Sequence, residues 1–289
     1  MTTKHLDAAK ARRYDEYYTS YEDVERELVH YKPEFKGKSV YCNCDGEESA
    51  FWRFFKNEFH EFGLKLLTAT GIGGEKLVFD GTDVKRSKLE DGRYQSDECK
   101  AILAECDILV TNPPFSLWRD YFDLVIKSGK SFILLGSAYC LKYQNIFPYY
   151  RDGKVWLGVD DRQYGKNFWF DVPSDAPDDI KSKCEFHNGR LMKSLRNIAW
   201  LTNVHHGVPK HLECTAHYAP EKYPKYADYD AIEVGRIKDI PCDYDGVMGV
   251  PITFPLHHDP KQFEVVGSVR PHLPDGRETY HRYLIKKMA

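Results

Sequence analysis

Apolar positions recur at helical spacing in two stretches near the N-terminus and then cluster into short continuous runs. Val24, Leu28 and Tyr31 fall on one side of a helix over residues 21–31. Phe51, Phe54, Phe55, Phe59 and Phe62 do the same over 47–62, a stripe more in keeping with a helix buried against a sheet than with a cofactor box. The runs at 40–42, 64–70, 108–111 and 131–136, bounded by glycine or charge, read as buried strands. A short strand or hairpin is expected around 77–79. Ser96 is placed to cap a helix through Ala104, with Asp97 and Glu98 in its first turn, and another helix is predicted over 117–126. Strands alternating with helices point to an α/β protein with a Rossmann-like, mostly parallel doubly wound sheet.

Beyond Ala138 the pattern changes, with short apolar pieces at 154–159, 197–202 and 247–287 and a Tyr- and Pro-rich stretch at 218–229. Residues 1–150 are read as one part. Residues 151–289 complete the sheet and add a substrate-facing segment, and a single domain is the alternative, since element edges set such a boundary only loosely.

Composition narrows the classes. Of 289 residues 42% are hydrophobic, enough for a substantial core. No apolar run reaches the length of a membrane span, and the first residues carry no secretory apolar region. Eight irregularly spaced cysteines read as reduced thiols, so the cytoplasm is expected. Net charge is −3, but Lys181, Lys183, Arg190, Lys193 and Arg196 share the stretch up to Lys210 with a single acid, Glu185. That segment suits phosphate neutralisation or an ordinary solvated face, and charge alone does not choose. Cys42 and Cys44 lack zinc-knuckle spacing, and His205, His206 and His211 form no HExxH pattern, so no metal is expected. No Walker loop, dinucleotide fingerprint or nucleophile elbow occurs, which argues against kinase, dehydrogenase and hydrolase chemistry.

The candidate chemistry sits in Asn112-Pro113-Pro114-Phe115, directly after the apolar run at 108–111. Two prolines cannot continue a central strand, and they hold the preceding Asn112 extended. The tetrapeptide is either an ordinary turn initiator or a rigid lip at the C-terminal end of a strand, where open α/β sheets bind ligands. As a lip it offers an amide and an aromatic face, which is the arrangement of enzymes that methylate a planar NH2 group.

Further blocks decide between these readings. They are Tyr14-Asp15-Glu16-Tyr17-Tyr18-Thr19, Val40-Tyr41-Cys42-Asn43-Cys44-Asp45, Ser96-Asp97-Glu98-Cys99, the residues around the tetrapeptide from Asp107 to Ser116, Ile146-Phe147-Pro148, and Tyr229-Asp230-Ala231-Ile232-Glu233-Val234. The longest is Ile240-Pro241-Cys242-Asp243-Tyr244-Asp245-Gly246-Val247-Met248-Gly249-Val250-Pro251. With these blocks in order, the chain resembles the EcoRI-type adenine-specific DNA methyltransferases over about residues 14–287.

The resemblance implies S-adenosylmethionine as methyl donor and adenine in double-stranded DNA as acceptor. It carries over Asn112, Pro113, Pro114 and Phe115 as catalytic residues. The Asn112 oxygen and the Pro113 carbonyl would accept the two amino hydrogens, and Phe115 would stack on a flipped-out adenine. Thr19, Asn43, Cys44, Asp45 and Asn112 are carried over as cofactor contacts. The turn after the first strand holds one glycine, Gly46, where the broader class is glycine-rich. The second strand ends in Thr68-Ala69-Thr70 without the usual ribose-binding acid; the residues do not show what replaces it, and Asp83 or Asp97 are the candidates considered. The basic residues from Lys181 to Arg196 would face DNA, and a monomer is expected. Methylation of RNA or of a protein glutamine, and a catalytically silent DNA- or partner-binding role, are the alternatives.

Overall fold

The structure, a computed structural model, describes residues 18–160, 167–172, 178–187, 189–208 and 210–288. Residue contacts divide the chain into two compact units, the first comprising residues 1–138 and 158–207 and the second 139–157 and 208–289. Each is discontinuous in sequence.

In chain order the main elements are β1 (Tyr18–Thr19), α1 (Tyr21–Leu28), β2 (Ser39–Asn43), α2 (Ala50–Asn57), β3 (Leu66–Thr70), β4 (Glu75–Phe79), β5 (Val84–Lys88), α3 (Asp97–Glu105), β6 (Ile108–Thr111), α4 (Trp118–Ser128) and β7 (Ser131–Ser137). They continue with β8 (Trp156–Leu157), β9 (Asn167–Asp171), β10 (Glu185–His187), β11 (Arg190–Arg196), β12 (Ile198–Thr202), β13 (Ile232–Glu233), β14 (Met248–Pro251), β15 (Phe263–Val269) and β16 (Arg282–Lys287).

Serine caps start three of the helices in the first unit. Ser20, Ser49 and Ser96 each accept a hydrogen bond from the backbone N–H three residues on, at 3.1 Å, satisfying a donor the helix itself leaves open. Helix α2 stops at Asn57 rather than at residue 62, and the chain continues in turns to Gly63 at φ 63°. Phe59 and Phe62 are nevertheless buried, so the aromatic stripe predicts packing better than it predicts helix length.

Seven strands of the first unit lie in the order β5-β4-β3-β2-β6-β7-β12. The central four, β3-β2-β6-β7, are parallel. The flanks are antiparallel: β4 on β3, β5 on β4, and β12 on β7. The sheet is therefore mixed rather than parallel throughout. The four residues joining β3 to β4 make a turn, far short of the crossover a parallel neighbour needs. One sheet face presents Val40, Cys42, Leu67, Ala69, Ile108, Val110, Ile133 and Leu135 to a core that includes Phe51, Phe54 and Phe55 of α2. On the other face Phe132 meets Phe122 of α4 with ring centroids 6.0 Å apart.

A second, smaller sheet in this unit has the order β1-β9-β11-β10 with antiparallel pairing throughout. Thr19 pairs with Phe170, and Phe170 pairs in turn with Lys193.

The second unit is built on the sheet β13-β14-β16-β15, with Ile232, Met248, Val250, Val265, Tyr283 and Ile285 in its core. Across it, Arg282 grips Glu233 at 2.6–3.2 Å. Among the described residues no helix is long and apolar enough to cross a membrane.

Candidate active site

The chain runs from β2 outward to β3 and returns on the other side of β2 as β6, so β2 and β6 flank a topological switch point. Ligands of open α/β sheets bind outside the carboxyl ends of strands at such a point. Here those ends carry the turn 43–46 and the Asn112–Phe115 lip.

Hydrogen bonds tie the two strand ends together. The Thr111 hydroxyl, fully buried at the end of β6, contacts both the Asn43 carbonyl oxygen and, at 2.8 Å, Asp45 Oδ2. The Asp45 backbone N–H donates to Thr70 O of β3 at 3.0 Å. Asp45 does not cap the following helix, a role taken by Ser49. The Asn43 amide donates to Tyr41 Oη at 2.6 Å and accepts from the Cys44 thiol at 2.9 Å, while Tyr41 Oη lies 2.7 Å from Thr70 Oγ1. The Asn43 side chain thus stiffens the turn from within. Burial pushes the Cys42 thiol and the Tyr41 hydroxyl far above their ordinary values, so both stay neutral. Cys44 takes the left-handed backbone conformation at φ 65°, which glycine adopts at no steric cost. The glycine-poor turn therefore bends where the broader class would place glycine.

The lip is braced from the small sheet. Asn112 Nδ2 donates to Thr19 Oγ1 at 3.2 Å, a contact that restrains the amide and, in this orientation, leaves Oδ1 on its other edge. Phe115, half-buried, meets Phe170 edge-on at 6.2 Å and 85°. Pro113 and Pro114, within the lip, are buried. Thr19, carried over as a cofactor contact, is thus found on Asn112 itself. Residues 14–17 of its block lie outside the described residues.

A cavity of about 340 Å³ opens beside Thr19, lined among others by Glu22, Glu48, Arg53, Asp171 and Arg190. Sequence reasoning missed Glu75, the first residue of β4. A Cβ added to Gly46 would stand 3.3 Å from Glu75 Oε2, and one added to Gly71 would stand 3.7 Å from the same oxygen. This carboxylate overhangs the glycines beyond the ends of β2 and β3, and Ile72 of the same turn is 44% exposed. Asp83 and Asp97, the substitutes considered for a ribose-binding acid, start β5's approach and the first turn of α3.

The basic residues do not share one face. Arg190 and Arg196 project from one side of β11 and Lys193 from the other, by the alternation of a strand. Arg190 Nη1 lies 3.2 Å from Asp171 Oδ2, and Lys193 Nζ donates to Lys183 O at 3.0 Å. Lys181 ends a short helical turn. In the second unit His217 Nδ1 lies 3.0 Å from Asp243 Oδ2 and 3.8 Å from Cys242 Sγ. This is the group of potential metal ligands found among the described residues. Asp243 also accepts from the Tyr218 backbone N–H, which makes it a tie between two segments of the second unit.

A rigid Asn-Pro-Pro-Phe lip at the switch point of an α/β sheet is the arrangement of an amino-methyltransferase. The comparison with known proteins then places the chain within that class: it belongs to the family of the adenine-specific methyltransferase EcoRI, matched over residues 5–83 and 74–287. It is 38% identical over 319 aligned positions to the type II methyltransferase M.EcoRI of Escherichia coli, covering 99% of this chain and 97% of that one. It is 36% identical to M.MgeORF184P of Mycoplasma genitalium and 37% identical to M.MpnI of Mycoplasma pneumoniae, both type II methyltransferases. Each of those alignments covers 91% of this chain and 85% of the relative. No solved structure matches the chain.

Proposed function

We propose that the protein methylates the N6 amino group of adenine at a specific site in double-stranded DNA, with S-adenosylmethionine as donor, as the modification enzyme of a restriction-modification system or a phage. The observation that carries this is the Asn112 amide, held by Thr19 at the switch point in a chain of this family.

An exocyclic amine is a poor nucleophile because its lone pair is delocalised into the ring. With Nδ2 engaged by Thr19, Asn112 Oδ1 and the Pro113 carbonyl accept the two amino hydrogens. The lone pair is thereby localised and aimed for direct in-line transfer. Pro114 keeps the lip rigid, and Phe115, braced by Phe170, stacks on the flipped base. Orientation and fixed dipoles supply the rate, without a protein-bound intermediate.

When bound, S-adenosylmethionine supplies an activated sulfonium methyl group. The residues present fit it. The missing side chains at Gly46 and Gly71 leave a cradle under Glu75, whose carboxylate suits ribose hydroxyls, and Ile72 offers an apolar face to the adenine. Asn43, Cys44 and Asp45 hold the turn beneath, and Arg53 with Glu22 and Glu48 lines the cavity that suits the amino-acid end.

On this reading the larger sheet is the Rossmann-like, doubly wound methyltransferase sheet. Residues 1–150 carry cofactor binding and catalysis. Residues 151–289 carry DNA recognition, including Lys181, Lys183, Arg190, Lys193 and Arg196. The protein acts as a cytoplasmic monomer. Incubation with labelled cofactor and plasmid DNA, RNA or protein tests the substrate: label recovered as N6-methyladenine in DNA is expected, and label in any other product refutes the reading. The Asn112→Ala variant is expected to lose transfer while keeping cofactor affinity within about tenfold, or roughly 1.4 kcal/mol.

A further inference from the structure

The small sheet does more than brace the lip. Residues directly opposite on paired strands share a face, and alternate residues along a strand share it too. By this rule Thr19 of β1, Phe170 of β9, Lys193 and Leu191 of β11, and Phe186 of β10 all project from one face. At its inner end that face touches the reacting lip twice, Thr19 at Asn112 and Phe170 at Phe115. At its outer end stands Phe186, 81% exposed. β10 lies two strands from β9, about 10 Å sideways at the usual strand spacing.

The hairpin carrying Phe186 is built to hold its shape. Lys193 Nζ donates to Lys183 O across its base, and on the opposite face Trp169 stacks on His187 with centroids 4.2 Å apart and planes within 3°. An apolar, solvent-exposed ring on the face it shares with Lys193 suits nucleic acid, where cations meet phosphates and an aromatic ring meets bases.

We propose that Phe186 is a wedge that enters the base stack of the duplex and occupies the gap left when the target adenine turns out into the Asn112–Phe115 lip. The proposal rests on the adenine reading above. Extruding a base costs stacking and pairing, and an inserted apolar side chain offsets part of that cost. Phe186 is a positioning residue: it touches neither the reacting nitrogen nor the methyl donor.

The test compares two duplexes bearing the protein's mapped site, one with thymine opposite the target adenine and one with an abasic position there. Phe186→Ala is expected to methylate the thymine-paired duplex about tenfold to a hundredfold more slowly than wild type, the worth of one aromatic stacking contact, yet to match it within about threefold on the abasic duplex. Phe186→Trp is expected to retain activity on both, and cofactor affinity is unchanged throughout. Equal rates for Phe186→Ala and wild type on the paired duplex overturn the wedge, and so does the same loss on both duplexes. A wild-type protein that methylates neither duplex removes the adenine reading and this proposal with it.

Discussion

Replacing Thr19 with valine removes one acceptor at nearly constant volume from a buried position. In the structure that acceptor takes the hydrogen bond from Asn112 Nδ2 at 3.2 Å. A neutral hydrogen bond of this kind contributes about 0.5–1.5 kcal/mol, and its loss leaves the amide free to turn its NH2 edge toward the substrate. An inverted amide presents a donor where the amino hydrogens need an acceptor, so only the correctly turned fraction is active. The variant is expected to show kcat lowered by about threefold to tenfold, with KM for S-adenosylmethionine close to wild type. Steady-state kinetics at saturating DNA separates this from the role that the family resemblance alone implies. A KM for the cofactor raised by that factor at unchanged kcat would make Thr19 a cofactor contact. No change in either constant would refute the account of how Asn112 is oriented.

Two further outcomes follow from buried and overhanging carboxylates. Glu27 is fully buried on α1, accepting from the Val159 and Asp160 backbone N–H groups and from Tyr31 Oη, and burial pushes its pKa from 4.5 up to about 7. The folded value exceeds the unfolded one, so the carboxyl's contribution is full below about pH 4.5 and is lost as pH rises through 7. Relative to Glu27→Gln, the wild type is expected to lose about 3 kcal/mol of stability across that window in urea titrations, and a pH-independent difference contradicts this. Glu75→Ala is expected to bind S-adenosylhomocysteine about tenfold more weakly, the loss typical of a charged hydrogen bond. It should bind an analogue lacking both ribose hydroxyls as wild type does, and calorimetry showing an equal loss for both ligands excludes Glu75 from the ribose site.

Much of this arrangement is legible in the residues themselves. The four parallel strands stand out because each is a short apolar run closed by glycine, proline or charge. The Asn112–Phe115 lip is visible because two prolines leave the chain few conformations. Contacts between distant segments are not visible in this way. Thr19 reaches Asn112 because β1 pairs with β9, whose residues lie some 150 positions later, and no local pattern announces that pairing. Glu75 is hidden for a related reason: only the tight antiparallel turn after β3 brings a residue from the start of β4 back over Gly46. The basic segment reads as one stretch of charge, yet its residues divide between the end of a short helical turn, the turn before β10 and both sides of β11. Spacing in sequence cannot assign a strand's two faces until its partners are known.

On the proposed function, the Asn112 lip methylates adenine in DNA. This is tested most directly by sequencing that reports modified bases in DNA from cells expressing either the wild-type protein or Asn112→Ala. N6-methyladenine is expected at one recurring sequence in the first sample and none above background in the second. Unmodified adenine in both samples, or the same methylated sites in both, would contradict it.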